Sequence, residues 1–347
     1  MDQQLLFGDF TFEELIDKVQ NMGQPKFRAT QLLEWIYKKR VSHFELMTNL
    51  PKAFHEQLVE EFHFPGVQQV AKQTSKDGTI KWLLSLSDGA KIETVLMPSS
   101  YGNTVCVSSQ VGCKMGCSFC ASTIGGIERS LTAGEMVEQV LHVQRFLDFK
   151  KERVSNIVIM GSGEPLDNYE QTIKFIKVIN HEKGLNIGQR HITISTCGIV
   201  PKIYELIKDA PQVTLSISLH APEDKLRSEI MPINKKHRLV DVIQACKDFV
   251  DVTRRRVTFE YALISGVNDQ PSHARELIVL LDGLMCHVNL IPVNEVSERN
   301  TRQTKAEDVE RFRSILEKGG ISVTVRRERG ADISAACGQL RASMSKQ

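Results

Sequence analysis

The stretch Cys106-Val-Ser-Ser-Gln-Val-Gly-Cys113-Lys-Met-Gly-Cys117-Ser-Phe-Cys120-Ala carries three thiols at C-x3-C-x2-C spacing, with a glycine before the first and before the second. Three thiols are one short of a closed site. Structural zinc and ordinary iron–sulfur clusters take four protein ligands, so a lone triplet points to a [4Fe-4S] cluster whose fourth iron is open to a cofactor or substrate. Two plainer readings fit the spacing as well. Positions i, i+4 and i+7 share one helix face, where free thiols are small buried hydrophobes, and a zinc site completed by a distant His or Cys is the other. Gly112 and Gly116 weigh against the helix, because glycine is a poor helix former and lets a loop turn several sulfurs toward one centre.

The 347 residues allow two domains or one large barrel with an appendage. Apolar content of 41% and charged content of 25% are those of an ordinary globular protein, and no apolar run approaches membrane-span length. The opening Met-Asp-Gln-Gln-Leu-Leu-Phe-Gly-Asp has no basic n-region leading into an apolar core, so a cytoplasmic protein with no membrane partner is expected. Eight cysteines in such a chain are ligands, catalytic thiols or core residues rather than a disulfide framework. Outside the triplet they are Cys106, Cys197, Cys246, Cys286 and Cys337, of which Cys197, Cys246 and Cys286 read as core. The net charge of +2 announces no nucleic acid by itself. Four clusters could line a phosphate backbone, although each is more often a solvated face: Lys38-Lys39-Arg40, Lys235-Lys236-His237-Arg238, Arg254-Arg255-Arg256 and Arg326-Arg327-Glu-Arg329, of which Arg254 to Arg256 is the one expected, with the N-terminal unit, to contact RNA.

Residues 1–90 read as a small, mainly helical unit, with helical periodicity over Phe12–Met22 and Ala29–Arg40 and breaks at Pro25 and Pro51. Alternating segments then flank Asp88-Gly89, a hairpin signal. From Val105 onward short apolar strands alternate with amphipathic helices, the pattern of a parallel α/β sheet or barrel, so residues 91–347 are expected to form a second domain. Strands are expected at Val154–Met160, His191–Thr196, Val213–Leu219, Arg256–Ile264, His287–Ile291 and Ile321–Arg326, and a capping box at Thr132-Ala-Gly-Glu135 opens a helix. The ends of these strands carry Gly161-Ser-Gly163-Glu164-Pro165, Ser195-Thr196, Ser218-Leu219-His220 and Asn294, so the polar residues converge on the rim where barrel active sites form.

With these residues the sequence resembles radical S-adenosylmethionine enzymes and, within them, the RlmN/Cfr family of RNA adenine methyltransferases. The resemblance is carried by the cysteine stretch, Gly163-Glu164-Pro165, Ser218-Leu219-His220-Ala221-Pro222, Met231-Pro232-Ile233-Asn234, Gly266-Val-Asn-Asp269, His287-Val-Asn-Leu-Ile-Pro292 and Ala335-Ala-Cys337-Gly-Gln-Leu340. It implies a partial (βα)6 radical SAM barrel with an RNA-binding N-terminal accessory domain. Cys113, Cys117 and Cys120 are then the cluster ligands, and Gly163, Glu164, Ser195, Ser218, Leu219, His220 and Asn294 bind S-adenosylmethionine, two molecules of which are used per turnover. By the same resemblance Cys337 receives a methyl group, a radical generated from the second S-adenosylmethionine activates it, and the carbon adds to adenine. Glu93 then accepts the ring proton and Cys106 resolves the adduct as a disulfide with Cys337. As a bare strand residue, Glu93 is more simply an exposed side chain.

The substrate implied is an adenosine in the peptidyl-transferase region of 23S rRNA, modified before the ribosome is fully assembled, with tRNA a second candidate and an electron donor such as flavodoxin as partner. The family divides into C2 and C8 methyltransferases, the latter conferring antibiotic resistance. Pro165 after Glu164 and the basic run Arg326 to Arg329 look more like the C2 branch. A zinc-stabilised RNA-binding protein without catalysis is the competing class.

Overall fold

The computed structural model describes residues 5–294, 296, 298, 299 and 301–340. Helix α1 (Phe12–Asn21) starts at a reciprocal cap, the Thr11 hydroxyl accepting from the Glu14 N–H while the Glu14 carboxylate accepts from the Thr11 N–H. Helix α2 (Phe27–Leu33) passes into a π-helical turn over Glu34–Lys38, where sequence periodicity suggests one uninterrupted helix. Helix α3 (Lys52–Glu61) completes the helical unit, whose core joins Leu15, Leu32, Ile36, Phe54 and Leu58 to a stack of Phe7 on Phe62 with centroids 4.3 Å apart.

Strands β1 (Gln68–Thr74), β2 (Ile80–Ser85), β3 (Lys91–Ser99) and β4 (Gly102–Cys106) follow as an antiparallel run. The first 90 residues therefore hold a helical unit and the beginning of the sheet. A separate small hairpin of β5 (Gln110–Gly112) and β6 (Ile127–Ser130) brackets the cysteine loop. After helix α4 (Ala133–Asp148), capped by Thr132 and Glu135 as expected, the alternation begins. It runs β7 (Val154–Ile159), α5 (Tyr169–Asn180), β8 (Ile192–Thr196), α6 (Val200–Asp209), β9 (Thr214–Ser218), α7 (Asp224–Ile230), α8 (Leu239–Thr253), β10 (Val257–Leu263), α9 (Pro271–Leu280), β11 (Cys286–Pro292), α10 (Ala306–Lys318) and β12 (Val323–Val325).

One ten-stranded sheet results, ordered β1-β2-β3-β4-β7-β8-β9-β10-β11-β12 and parallel from β4 onward. Its parallel strands bury Val105, Ile157, Ile194, Leu215, Phe259 and Leu290, as strands covered by helices must. The chain beyond β12 lies across the first strands. Arg329 donates to the Pro98 carbonyl, the Gly330 N–H to Asp77, and Lys81 to the Ser334 carbonyl. Among the described residues no helix is long and apolar enough to cross a membrane.

Candidate active site

The three thiols sit in an irregular loop between β5 and β6, which removes the helix-face reading. Gly112 takes φ +74°, and a side chain there would meet the Gly126 carbonyl at 2.1 Å, so the loop can close only over a glycine. The closure is held by the Cys113 N–H donating to that carbonyl at 2.8 Å. The Thr123 hydroxyl reaches the carbonyls of Cys117 and Cys120 at 3.1 and 2.9 Å. All three cysteines line one open cavity of about 970 Å³. Burial pushes the Cys113 thiol up to about 12 and raises Cys117 and Cys120 as well, and neighbouring thiols add to the effect at Cys113 and Cys117. Iron would reverse this by binding the thiolates.

Among the described residues no three His, Cys, Asp or Glu side chains converge as the ligands of one ion do. Thiolates on a cubane bond separate irons, so a shared cavity is what they require, and the triplet fits that group. A fourth thiol, Cys197, lies beside them and lines the same cavity. Burial and a hydrogen bond to Glu164 keep it protonated. Of the other expected core cysteines, Cys246 is fully buried, whereas Cys286 is half-buried on β11.

Strand ends β7, β8 and β9 supply the opposite wall. Gly161 and Gly163 pack on Ser108, Ser109 and Gln110, leaving 2.6 Å at most for a side-chain carbon. The Ser162 carbonyl accepts from the Ser109 and Gln110 N–H groups, tying the wall to the strand that leads into the cysteine loop. Glu164 is buried, which raises its pKa, and its carboxylate accepts from the backbone N–H of Cys197 (2.8 Å) and Leu166 (2.9 Å). Ser195, Ser218 and His220 line the cavity. His220 Nδ1 accepts from the Ala262 N–H at 2.9 Å, which puts the proton on Nε2, and burial lowers its pKa to about 3, so the ring is neutral. Leu219 points into the core, leaving only its backbone near the site. Asn294 donates to the Cys337 carbonyl at 3.0 Å, while its own side-chain oxygen is buried without a partner among the described residues. An orphaned acceptor on the cavity wall suits a polar cofactor.

Two residues of this site, Arg227 and Glu260, carry no sequence signal of their own, and a third, Arg326, is marked in the sequence only as part of a basic run. Arg227 is fully buried, and its guanidinium donates to the carbonyls of Cys197 (2.7 Å), Ser218 (3.1 Å) and Leu219 (3.1 Å) and to the Asn234 side chain (2.7 Å). It thus clamps the ends of β8 and β9 to the Met231-to-Asn234 segment. Arg227→Met orphans these four acceptors and is expected to cost about 3–5 kcal/mol of stability, read as a lower denaturation midpoint. Glu260 accepts from Ser216, Asn289 and Arg326 on the cavity floor. Arg326, expected to face solvent with its basic run, turns inward to Glu260 at 3.3 Å, and its nearness to Cys337 and then to Glu260 raises its pKa.

Arg326, Met160, Asn294 and Cys337 border both this cavity and a second one, which also holds Cys106. Cys106 and Cys337 are both free, the first buried and the second exposed. Burial pushes the Cys106 thiol up to about 12. Glu93 is not the exposed strand residue of the plain reading. It is 3% exposed, lies in neither cavity, and pairs with Lys81 at 3.0 Å. Of the basic clusters, Lys235 and Lys236 are exposed beside Pro232 at the cysteine loop, whereas Arg254 to Arg256 precede β10 and lie at the far end of the barrel.

Comparison with known proteins accords with this geometry. Residues 107–278 match the model of the radical SAM superfamily, and residues 6–63 match that of the ribosomal RNA large subunit methyltransferase N-terminal domain. A relative from Geobacillus thermodenitrificans, named probable dual-specificity RNA methyltransferase RlmN, is 56% identical over 97% of this chain and 93% of its own. One of the same name from Bacillus thuringiensis is 54% identical over 96% and 92%. The crystal structure of a radical SAM methyltransferase from Sphaerobacter thermophilus superposes with a TM-score of 0.95 at 46% identity, covering 98% of this chain and all of that one. Identity of this extent over nearly the whole length establishes that the chain belongs to the RlmN family of radical S-adenosylmethionine methyltransferases.

Proposed function

We propose that the protein methylates C2 of an adenosine in the peptidyl-transferase region of 23S rRNA, and an adenosine of tRNA, in the cytoplasm. The observation that carries the reading is that one cavity presents the cysteine triplet, the strand-end polar residues and Cys337 together. Its relatives' name, dual-specificity RNA methyltransferase, supports two RNA substrates.

Cys113, Cys117 and Cys120 hold a [4Fe-4S] cluster. Gly163, Glu164, Ser195, Ser218, Leu219, His220 and Asn294 form the S-adenosylmethionine site, Leu219 through its backbone alone. When bound, the cluster supplies the electron for reductive cleavage of S-adenosylmethionine, the source of the radical chemistry. Cys337 is exposed and so able to attack a sulfonium methyl, its S–C bond forming as that of S-adenosylmethionine breaks. The methyl carbon gives up one hydrogen atom to that radical chemistry and joins adenine, the unpaired electron left on the ring passes to a one-electron acceptor, and Glu93 takes the ring proton, leaving the C–H electron pair in the ring. Cys106 then attacks the Cys337 sulfur. An S–S bond forms, the carbon departs with the C–S electron pair and takes up a proton, and external reduction by a thiol system restores both thiols, while an electron donor such as flavodoxin serves the cluster.

The helical unit within residues 1–90, together with Lys235 and Lys236 at the rim, binds RNA backbone and presents an unstacked base. The barrel and its C-terminal cysteine segment, within residues 91–347, perform the chemistry. Mass spectrometry of rRNA and tRNA from cells lacking and then re-expressing the protein tests the reading. Restored 2-methyladenosine in both RNAs is expected. Recovery of 8-methyladenosine, with resistance to peptidyl-transferase antibiotics, contradicts the C2 assignment.

A further inference from the structure

Lys81 and Glu93 lie on adjacent strands with their side chains turned away from α4, toward the chain segment that carries Cys337. The alternation on β3 shows the direction: Thr94 bonds Gln139 of α4, whereas Val95 packs with Cys106, Ala335 and Leu340. Lys81 stands opposite Val95 and reaches along the ladder to the Glu93 carboxylate, with the two side chains 7% and 3% exposed. A buried ion pair is weak evidence for stability, since both charges lose their hydration. This ammonium also donates to the Ser334 carbonyl at 3.1 Å, three residues before Cys337. The segment bends through left-handed backbone at Gly330 (φ +64°), Ser334 (φ +49°) and Gly338 (φ +82°), and Ser334 is a residue type that rarely adopts it.

We propose that Lys81 is a positioning residue for proton removal: it holds Glu93 as an oriented carboxylate and ties it to the segment bearing Cys337. The inference rests on the reading of Glu93 as the proton acceptor. One ammonium grips both the carboxylate and the cover above it. When the carboxylate takes the ring proton, Lys81 loses its counter-charge and its hold on Ser334 must readjust. Proton removal is thereby coupled to the approach of Cys337 to Cys106.

The test uses full-length, cluster-reconstituted protein with Lys81→Met, Lys81→Gln, Lys81→Arg or Glu93→Gln. Each is incubated with S-adenosylmethionine, reductant and a 23S rRNA fragment, and covalent enzyme–RNA adduct is read on a denaturing gel. Lys81→Met is expected to keep its iron and its S-methylated Cys337, to lose methylation by on the order of 100-fold, and to accumulate adduct as Glu93→Gln does. Lys81→Arg, which retains the charge, recovers most of the rate. Lys81→Gln retains a donor to Ser334 and serves where the apolar variant does not fold. Wild-type turnover without adduct in an iron-retaining Met or Gln variant overturns the inference, as does loss of Cys337 methylation in both. Absence of adduct in Glu93→Gln overturns the reading of Glu93 itself, and the role of Lys81 with it.

Discussion

Single replacement of Cys113, Cys117 or Cys120 with Ala is expected to abolish iron binding and RNA methylation together. Each thiol occupies a loop position that nothing else fills: Cys113 is pinned to Gly126, and Cys117 and Cys120 are bridged through Thr123. Cys197, the thiol packed against the triplet, does not stand in for a lost ligand, because it is committed to Glu164 and protonated by burial. Removing a ligand therefore leaves two thiolates for a cluster that already lacks a fourth. The loss of activity should far exceed the roughly 10–100-fold that accompanies loss of an outer-shell partner. Iron content and visible absorbance after anaerobic reconstitution report the effect. Full iron in any of the three variants would falsify the ligand assignment.

The parallel strands and their helices were legible because their apolar runs are bounded by turn residues, and the same alternation puts the polar strand ends on one rim. β1 was not, because Gln68-Gln-Val-Ala-Lys-Gln-Thr74 is a polar edge strand with little alternation to detect. The β5–β6 hairpin was hidden for a different reason: its strands are short and its ladder exists only because Gly112 allows close approach to Gly126. Within the site, the cysteine triplet, Gly163, Glu164, Ser195, Ser218, His220, Asn294 and Cys337 line one cavity, joined by Cys197, whereas the Leu219 side chain turns into the core and Glu93 lies outside both cavities. Arg227, Glu260 and Lys81 escaped because their role lies in buried partners distant in sequence, and a lone charged residue on a strand or helix reads as exposed. Arg326 shows the same limit, since a basic run on paper divides in space between an inward guanidinium and outward neighbours.

Cys337→Ala should leave the cluster intact and reduce RNA methylation to background. The residue is far in sequence from the cysteine loop but joined to its surroundings by the Ala121 N–H donating to the Gly338 carbonyl at 2.7 Å and by Asn294 on the Cys337 carbonyl. Both contacts use the backbone, so the substitution removes the sulfur and keeps the segment in place. Without that sulfur no S–C bond can form and no methyl carbon is supplied, a loss of mechanism rather than of affinity. The division of labour between the two ends of the cavity is the centre of the account, and it is tested by measuring iron content and RNA methylation side by side in Cys117→Ala and Cys337→Ala. The expected result is no iron and no methylation in the first, against wild-type iron and no methylation in the second. Equal loss of iron in both, or methylation surviving in Cys337→Ala, would contradict it.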